Sequence, residues 1–103
     1  FTLTGFAAGK SDGYLIFTAN WCANCRDVLP VVQSHAQTQA KQVIIIDVDS
    51  PDAPKQVKSY GLDIPSQNLP QVYALEGNTP RHIFDGNGYV YGQRDKVKNA
   101  LSQ

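Results

Sequence analysis

The sequence of 103 residues contains no methionine, a single tryptophan and only two cysteines. Because a chain without methionine does not begin at a translation start, we expect a processed product or one domain of a longer protein. Nine acidic and nine basic residues leave no net charge and no basic patch, so we expect no nucleic-acid partner. No apolar run approaches the roughly 20 residues of a membrane-spanning helix, so we expect no membrane segment.

The residues that are present suit one globular domain. Hydrophobic residues make up 42% of the chain, which supports a packed core and argues against disorder. A length of 103 residues is enough for one core, so we predict a single domain over residues 1–103 and a monomer. The two cysteines can pair with each other and leave no spare thiol, which is compatible with an oxidising compartment.

Both cysteines lie in the sequence WCANCR, from Trp21 to Arg26, between an apolar run at 14–19 and a helical pattern. A strand that delivers Cys-x-x-Cys to a helix start places the first cysteine near unpaired backbone N–H groups and the positive end of the helix dipole. This environment favours the thiolate and lowers the pKa of the thiol. The second cysteine lies one turn further on, where it can attack a mixed disulfide on the first. Cys22 is therefore the candidate nucleophile and Cys25 the candidate resolving thiol.

Other uses of the cysteine pair have to be compared with this one. A structural zinc site needs four ligands, and His35 and His82 do not have the spacing of paired ligands. A c-type haem needs histidine directly after the second cysteine, where this chain has Arg26. A purely structural disulfide would close a very short loop and stabilise little. A binding module with such a disulfide, or a metal carrier that uses the cysteine pair, stays open as an alternative. His35 is expected to be a solvated helix residue.

The periodicity of the apolar residues predicts the element order β-α-β-α-β-β-α. Strands are expected at 14–19, 43–49, 71–75 and 81–84, and helices at 23–42, 51–60 and 95–101. A right-handed crossover makes the first two strands parallel, and the later hairpin adds antiparallel strands. The fold class is therefore α/β, with a mixed central sheet and helices on both faces.

Local signals add detail to this plan. Ser50 is predicted to cap the second helix, with Pro51 at its first position. Pro30 lies inside the first helix and is expected to kink it. Two segments remain undecided. Residues 1–10 could end a strand or form a short helix, and residues 89–91 could form a further strand or lie across the sheet.

Five features of the sequence occur together: the strand leading into Trp21-Cys22-x-x-Cys25, Pro30, the strand VIIIDVD at 43–49, the pair Tyr60-Gly61, and a proline that opens the next strand. With these features the chain resembles the thioredoxin family over nearly its whole length. The resemblance implies a thioredoxin-like fold and thiol–disulfide exchange through Cys22 and Cys25, without a cofactor. It also implies two kinds of partner, which are proteins that contain disulfides and a redox partner protein.

The segment ANWCANC, residues 19–25, is similar to reductase-type and periplasmic members, such as the thioredoxin-like domains of bacterial thiol–disulfide interchange proteins. This similarity implies that reduction is favoured over oxidation. It also implies a periplasmic or otherwise extracytoplasmic location, with the cytoplasm as the alternative.

The resemblance further implies a proline with a cis peptide bond that faces the cysteines and holds the substrate backbone. Pro65 and Pro70 both follow an aliphatic residue, but only Pro70 leads directly into an apolar strand. The predicted substrate-binding residues are therefore Leu69 and Pro70, together with Trp21, which the family places at the rim of the site. The segment 63–69 is then a loop beside the cysteines, either a substrate-selecting element or a passive connection.

The chain departs from the family at several positions. Ile16 and Ile45 occupy the positions of a buried aspartate and its lysine partner in cytosolic thioredoxins. Their joint absence is self-consistent, because burying one charge alone is costly. Ala23-Asn24 replaces the usual Gly-Pro, and this pair tunes the redox poise. Gln71 follows the proline where threonine is common.

Overall fold

A computed structural model describes residues 12–65 and 67–102. The elements follow the order predicted from the sequence. They are β1 (Gly13–Thr18), α1 (Ala23–Thr38), β2 (Gln42–Asp47), α2 (Ala53–Lys58), β3 (Gln71–Glu76), β4 (Thr79–Asp85) and α3 (Arg94–Leu101). The undecided segment 1–10 lies outside the described residues.

The sheet has the strand order β2-β1-β3-β4. β1 is parallel to β2 and antiparallel to β3, and β3 is antiparallel to β4. The mixed sheet expected from the sequence is thus confirmed. β1 is a central strand, hydrogen-bonded along both edges, and its residues from Gly13 to Phe17 are buried.

Alternate side chains of β1 enter two separate cores, because successive residues of a strand point to opposite faces. Ile16 packs with Val32 of α1 and Val97 of α3 on one face. Phe17 packs on the other face with Val57 of α2 and with the two cysteines. The prediction of helices on both faces of the sheet is therefore confirmed.

The first helix ends earlier than its apolar stripe suggested. Thr38 is its last residue, and Ala40 has a left-handed backbone with φ of 53°. The N–H of Lys41 donates to the carbonyl of Ala36 at 2.9 Å, and the N–H of Ala40 donates to that of Gln37 at 3.3 Å. This pair of bonds is a Schellman motif, which closes the helix and turns the chain into β2.

The predicted start of the second helix is wrong by two residues. Asp52 is the N-cap and α2 begins at Ala53, with a proline in its first turn. The hydroxyl of Ser50 accepts a hydrogen bond from the N–H of Asp52 at 3.3 Å, which forms a local turn instead of a cap. The undecided segment 89–91 is not a strand but belongs to the irregular connection between β4 and α3.

His35 is not the solvated residue that the sequence suggested. It is half-buried, and its ring packs edge-on against Tyr14 with centroids 6.0 Å apart. The helical face that carries it is therefore turned partly toward the sheet, next to the contact between α1 and α3.

A buried carboxylate ties the start of α1 to the chain before α3. Asp27 is 2% exposed, and its Oδ2 accepts hydrogen bonds from the Tyr89 hydroxyl and the Gly92 N–H, each at 2.6 Å. Its Oδ1 accepts from Nε of Arg94, also at 2.6 Å. In addition, Nδ2 of Asn24 donates to the Tyr89 carbonyl at 3.2 Å. The residues on either side of Cys25 therefore hold the same segment.

These contacts shift the acid–base behaviour of the carboxylate and its partner. The Tyr89 hydroxyl is the largest cause that lowers the pKa of Asp27, and the Gly92 and Arg94 donors act in the same direction against the effect of burial. Burial is the largest cause that raises the pKa of Tyr89, followed by the hydrogen bond to Asp27. Asp27 is thus ionised and Tyr89 protonated over the neutral pH range.

Replacing Tyr89 with phenylalanine should destabilise the fold. The change removes one of three donors to a buried carboxylate and keeps the ring, so we expect a loss of about 1.5–3 kcal/mol in the free energy of unfolding. Tyr91→Phe is the matched control, since Tyr91 is 59% exposed, and it should change that free energy by less than about 0.5 kcal/mol. Urea unfolding of the three proteins measures both effects. Equal losses in the two variants would contradict the role given to Asp27.

The same carboxylate should make stability depend on acid pH. A carboxyl whose pKa is lowered in the folded state contributes stability that is present above its unfolded pKa, about 3.9, and lost as pH falls through the folded value. The wild type should therefore exceed Asp27→Asn in unfolding free energy by a margin that is constant near neutral pH and narrows below about pH 4. Thermal unfolding across this range measures the margin. A margin that stays constant into acid would rule the linkage out.

Candidate active site

Cys22 and Cys25 form a disulfide at the start of α1, with their Cα atoms 5.3 Å apart. Cys22 is the N-cap of the helix, and its Sγ accepts a hydrogen bond from the backbone N–H of Cys25 at 3.1 Å. A turn closed by the bond from the Cys22 N–H to the Ala19 carbonyl leads from β1 into this position. The first sulfur therefore lies where a helix start stabilises negative charge.

Burial separates the two cysteines only slightly in the disulfide form. Cys22 is 6% exposed and Cys25 is 3% exposed. Both belong to the same core cluster as Phe17 and Leu69. The different positions at the helix start, rather than exposure, distinguish the two sulfurs.

Trp21 lies at the rim of the site. Its side chain is 62% exposed, and its Nε1 donates a hydrogen bond to Oδ2 of Asp49 at 2.8 Å. Trp21 follows β1 and Asp49 follows β2, so both lie at the edge where these parallel strands end. Sequence reasoning missed Asp49, although its place just after a parallel strand was a usable signal.

The loop before β3 reaches the disulfide from the other side. Gln71 opposes Phe17 in the antiparallel register, so the residues before it lie beyond the end of β1, where Cys22 also lies. Leu69 is buried in the cluster that contains both cysteines, and Pro70 is fully buried. The peptide bond between Leu69 and Pro70 is cis. The structure thus places Leu69 in the core cluster of the cysteine pair, with Pro70 next to it in the chain.

A polar network anchors this loop to the sheet, and sequence reasoning did not find it. Gln71 is 8% exposed, and its Nε2 donates to the Asn68 carbonyl at 2.7 Å and to Oδ1 of Asp85 at 3.1 Å. Its Oε1 lies 2.6 Å from Nε2 of His82. The N–H of Asn87 is the largest cause that lowers the pKa of Asp85, and Gln71 and His82 act in the same direction.

Within residues 12–65 and 67–102, no group of three or more histidine, cysteine and acidic side chains is arranged to hold a metal ion. His35 packs on Tyr14, and His82 is engaged with Gln71. The helices in this part of the chain are also all too short or too polar to cross a membrane.

Comparisons with known proteins agree with this geometry. The sequence model of the family Thioredoxin matches residues 7–98. Protein disulfide-isomerase erp38 of Neurospora crassa is 31% identical over 90 residues, which is 82% of this chain and 23% of the relative. The chloroplastic M-type thioredoxin of Zea mays is 27% identical over 70 residues, which is 68% of this chain and 40% of the relative. The chain thus spans less than half the length of these curated relatives.

Solved structures show the same fold. Oxidised thioredoxin O1 of Arabidopsis thaliana has a TM-score of 0.60 and 20% identity, over 92% of this chain and 78% of that one. The thioredoxin of Fasciola hepatica has a TM-score of 0.60 and 17% identity, over 90% and 80% of the two chains. Since the family model covers most of the sequence and the disulfide lies at the start of α1, the chain belongs to the thioredoxin family.

Proposed function

We propose that the protein is a thiol–disulfide oxidoreductase that reduces disulfides of other proteins through Cys22 and Cys25. The observation that carries the proposal is the position of Cys22 at the N-cap of α1, where its Sγ accepts the N–H of Cys25. The same donor and the helix dipole remain available when the disulfide is reduced, and they stabilise a thiolate on Cys22.

The reaction follows from the two positions. The Cys22 thiolate attacks one sulfur of a substrate disulfide, a mixed disulfide forms, and the other substrate sulfur leaves as a thiolate that takes up a proton. The Cys25 thiolate then attacks Sγ of Cys22, which releases the second substrate thiol and forms the Cys22–Cys25 disulfide. Two electrons pass from the protein to the substrate. A redox partner protein has to return two electrons before the next cycle.

The surroundings of the disulfide supply surfaces for a polypeptide substrate. The exposed indole of Trp21 lies toward β2, where it bonds Asp49, and the loop with Leu69 and Pro70 lies toward β3, on the other side of β1. We assign these residues to substrate binding, with Trp21 also packing beside the sulfurs. An extended segment laid between them would have its disulfide next to Cys22.

The direction of exchange is part of the proposal. The fungal relative is named as a disulfide isomerase and the maize relative as a thioredoxin, so rearrangement and reduction are both represented among similar proteins. We favour reduction in an extracytoplasmic compartment, on the similarity of residues 19–25 to reductase-type members. Equilibration with glutathione gives the reduction potential, and fractionation of the native cells gives the location. A potential as oxidising as that of disulfide-forming enzymes, about −120 mV, would contradict reduction.

Two other functions remain alternatives. A binding module would keep the disulfide for structure alone, and a metal carrier would bind a soft cation through the reduced pair. Insulin reduction coupled to dithiothreitol tests the leading function: the wild type should accelerate it and Cys22→Ser should abolish the acceleration. Titration of the reduced protein with zinc or copper(I) tests the carrier.

Replacing Cys25 with serine should trap the reaction half-way. This change removes the resolving thiol and keeps the nucleophile, so mixed disulfides on Cys22 should persist. Cys22→Ser should trap far less, because Cys25 lacks the N-cap position that stabilises a thiolate on Cys22. Both variants are expressed in the native cell, quenched with acid and compared on non-reducing gels.

A ladder of adducts with Cys25→Ser alone would support exchange and identify the partners by mass spectrometry. Equal trapping in the two variants would show that Cys22 is not the nucleophile. No trapping in either, together with no insulin reduction by the wild type, would favour the binding module.

A further inference from the structure

The carboxamide of Gln71 has a partner for each of its polar atoms, although it lies in the buried first position of β3. Its Nε2 faces two acceptors, the Asn68 carbonyl at 2.7 Å and Oδ1 of Asp85 at 3.1 Å. Because both partners can only accept, the nitrogen and not the oxygen must face them. The oxygen then faces Nε2 of His82 at 2.6 Å, and that ring nitrogen must carry a proton.

Each partner of Gln71 is itself held in place. Oδ1 of Asp85 also accepts the N–H of Asn87 at 2.8 Å, which fixes the carboxylate on the turn after β4. The His82 ring stacks at a tilt on Tyr73, with centroids 4.8 Å apart. The carboxamide therefore links the loop before β3 to groups on β4, which is hydrogen-bonded along the sheet.

The loop that receives this bond is also packed tightly from the side of Gly86. A Cβ added at Gly86 would lie 2.5 Å from the Leu69 carbonyl carbon and 2.7 Å from the Asn68 carbonyl oxygen. The backbone of Asn68 has a φ of 61°, in the left-handed region that asparagine tolerates better than most residues. Two backbone segments thus meet without side chains between them, and the Asn68 carbonyl is directed at Gln71.

We infer that Gln71 is a positioning residue that holds the backbone of residues 68–70 in the place where a peptide substrate binds beside Cys22. This inference rests on the proposed function and adds a determinant of substrate use to it. Leu69 shares the core cluster of the cysteines, so a shift of this backbone changes the surface next to the disulfide. Within the described residues, the side chain of Gln71 is hydrogen-bonded to Asn68, Asp85 and His82 and not to the cysteines, so the chemistry of the thiolate is set separately at the start of α1.

Two kinds of substrate separate positioning from chemistry. A protein disulfide such as that of insulin has to lie along the loop, whereas 5,5′-dithiobis(2-nitrobenzoate) needs only an accessible thiolate. Gln71→Met keeps the length of the side chain and removes both donors to the loop and to Asp85. It should lower kcat/KM for insulin by about tenfold, mainly through a higher KM, as expected when a buried hydrogen bond that orients the substrate site is lost. The rate with the small disulfide should stay within about twofold.

Two further variants complete the comparison. His82→Phe keeps the ring on Tyr73 and both Nε2 bonds of Gln71, so it should lower kcat/KM for insulin in the same direction by only about threefold. Gln33→Met makes the same chemical change at an exposed position of α1 and should have no effect on the reduction of insulin.

Hydrogen exchange of the oxidised protein adds a direct readout of the loop. In Gln71→Met, exchange should rise at the amides of residues 67–69 and stay unchanged in α1.

The possible results separate the inference from the proposed function. If Gln71→Met reduces insulin as fast as the wild type, the inference is overturned and the proposed function is unaffected. Equal losses with insulin and with the small disulfide would also overturn it, because Gln71 would then act on the thiol or on the fold. A wild type that reduces the small disulfide but never insulin would contradict the proposed function. In that case unchanged exchange at residues 67–69 in Gln71→Met would still reject the positioning role.

Discussion

The site depends on where α1 begins. β1 is paired along both edges and buried on both faces, so its carboxyl end is a rigid point from which one turn carries the chain to Cys22. At that point the first N–H groups of the helix have no partners within the helix. The sulfur of Cys22 accepts one of them from Cys25, in the role that a serine or aspartate oxygen has in an ordinary N-cap. The sulfur that we propose as the nucleophile is thus also the atom that caps the helix.

Two irregular segments flank the disulfide, and one buried polar side chain fixes each of them. Asp27 of α1 accepts from the Gly92 N–H in the segment before α3, and Gln71 of β3 donates to the Asn68 carbonyl in the loop before it. Loops lack the repeated backbone hydrogen bonds of helices and strands, so a buried side chain that supplies such a bond restricts them strongly. A buried polar side chain stabilises a loop in this way only if each of its polar atoms has a hydrogen-bond partner, because burying an unpaired polar atom costs free energy. Asp27 has three donors and Gln71 has three partners, so both side chains satisfy this condition.

The distribution of buried charge departs from the pattern of cytosolic thioredoxins. Ile16, at the position where cytosolic thioredoxins carry a buried aspartate, is fully buried in the core between the sheet, α1 and α3. In the part of the chain that the structure describes, the buried carboxylate is that of Asp27, and it accepts hydrogen bonds from Tyr89, Gly92 and Arg94. This charge therefore holds helices together, and its hydrogen bonds do not lead to the cysteines.

Local signals in the sequence were sufficient for the element order, the two faces of the sheet and the cysteine pair at a helix start. Each of these follows from the periodicity or spacing of residues that are close together in the sequence, so it can be recognised before the fold is known. The ends of helices were less predictable, because a pair of hydrogen bonds from Ala40 and Lys41 closes α1 and a bond to the Ser50 hydroxyl forms the turn before α2. Only the tertiary structure revealed the contacts that complete the site. Asp27 and Tyr89 are 62 positions apart, Trp21 and Asp49 are 28 apart, and Gln71 and Asp85 are 14 apart. The sequence does not show whether a polar residue will be solvated or buried, because its hydrogen-bond partners depend on how elements that are distant along the chain pack together.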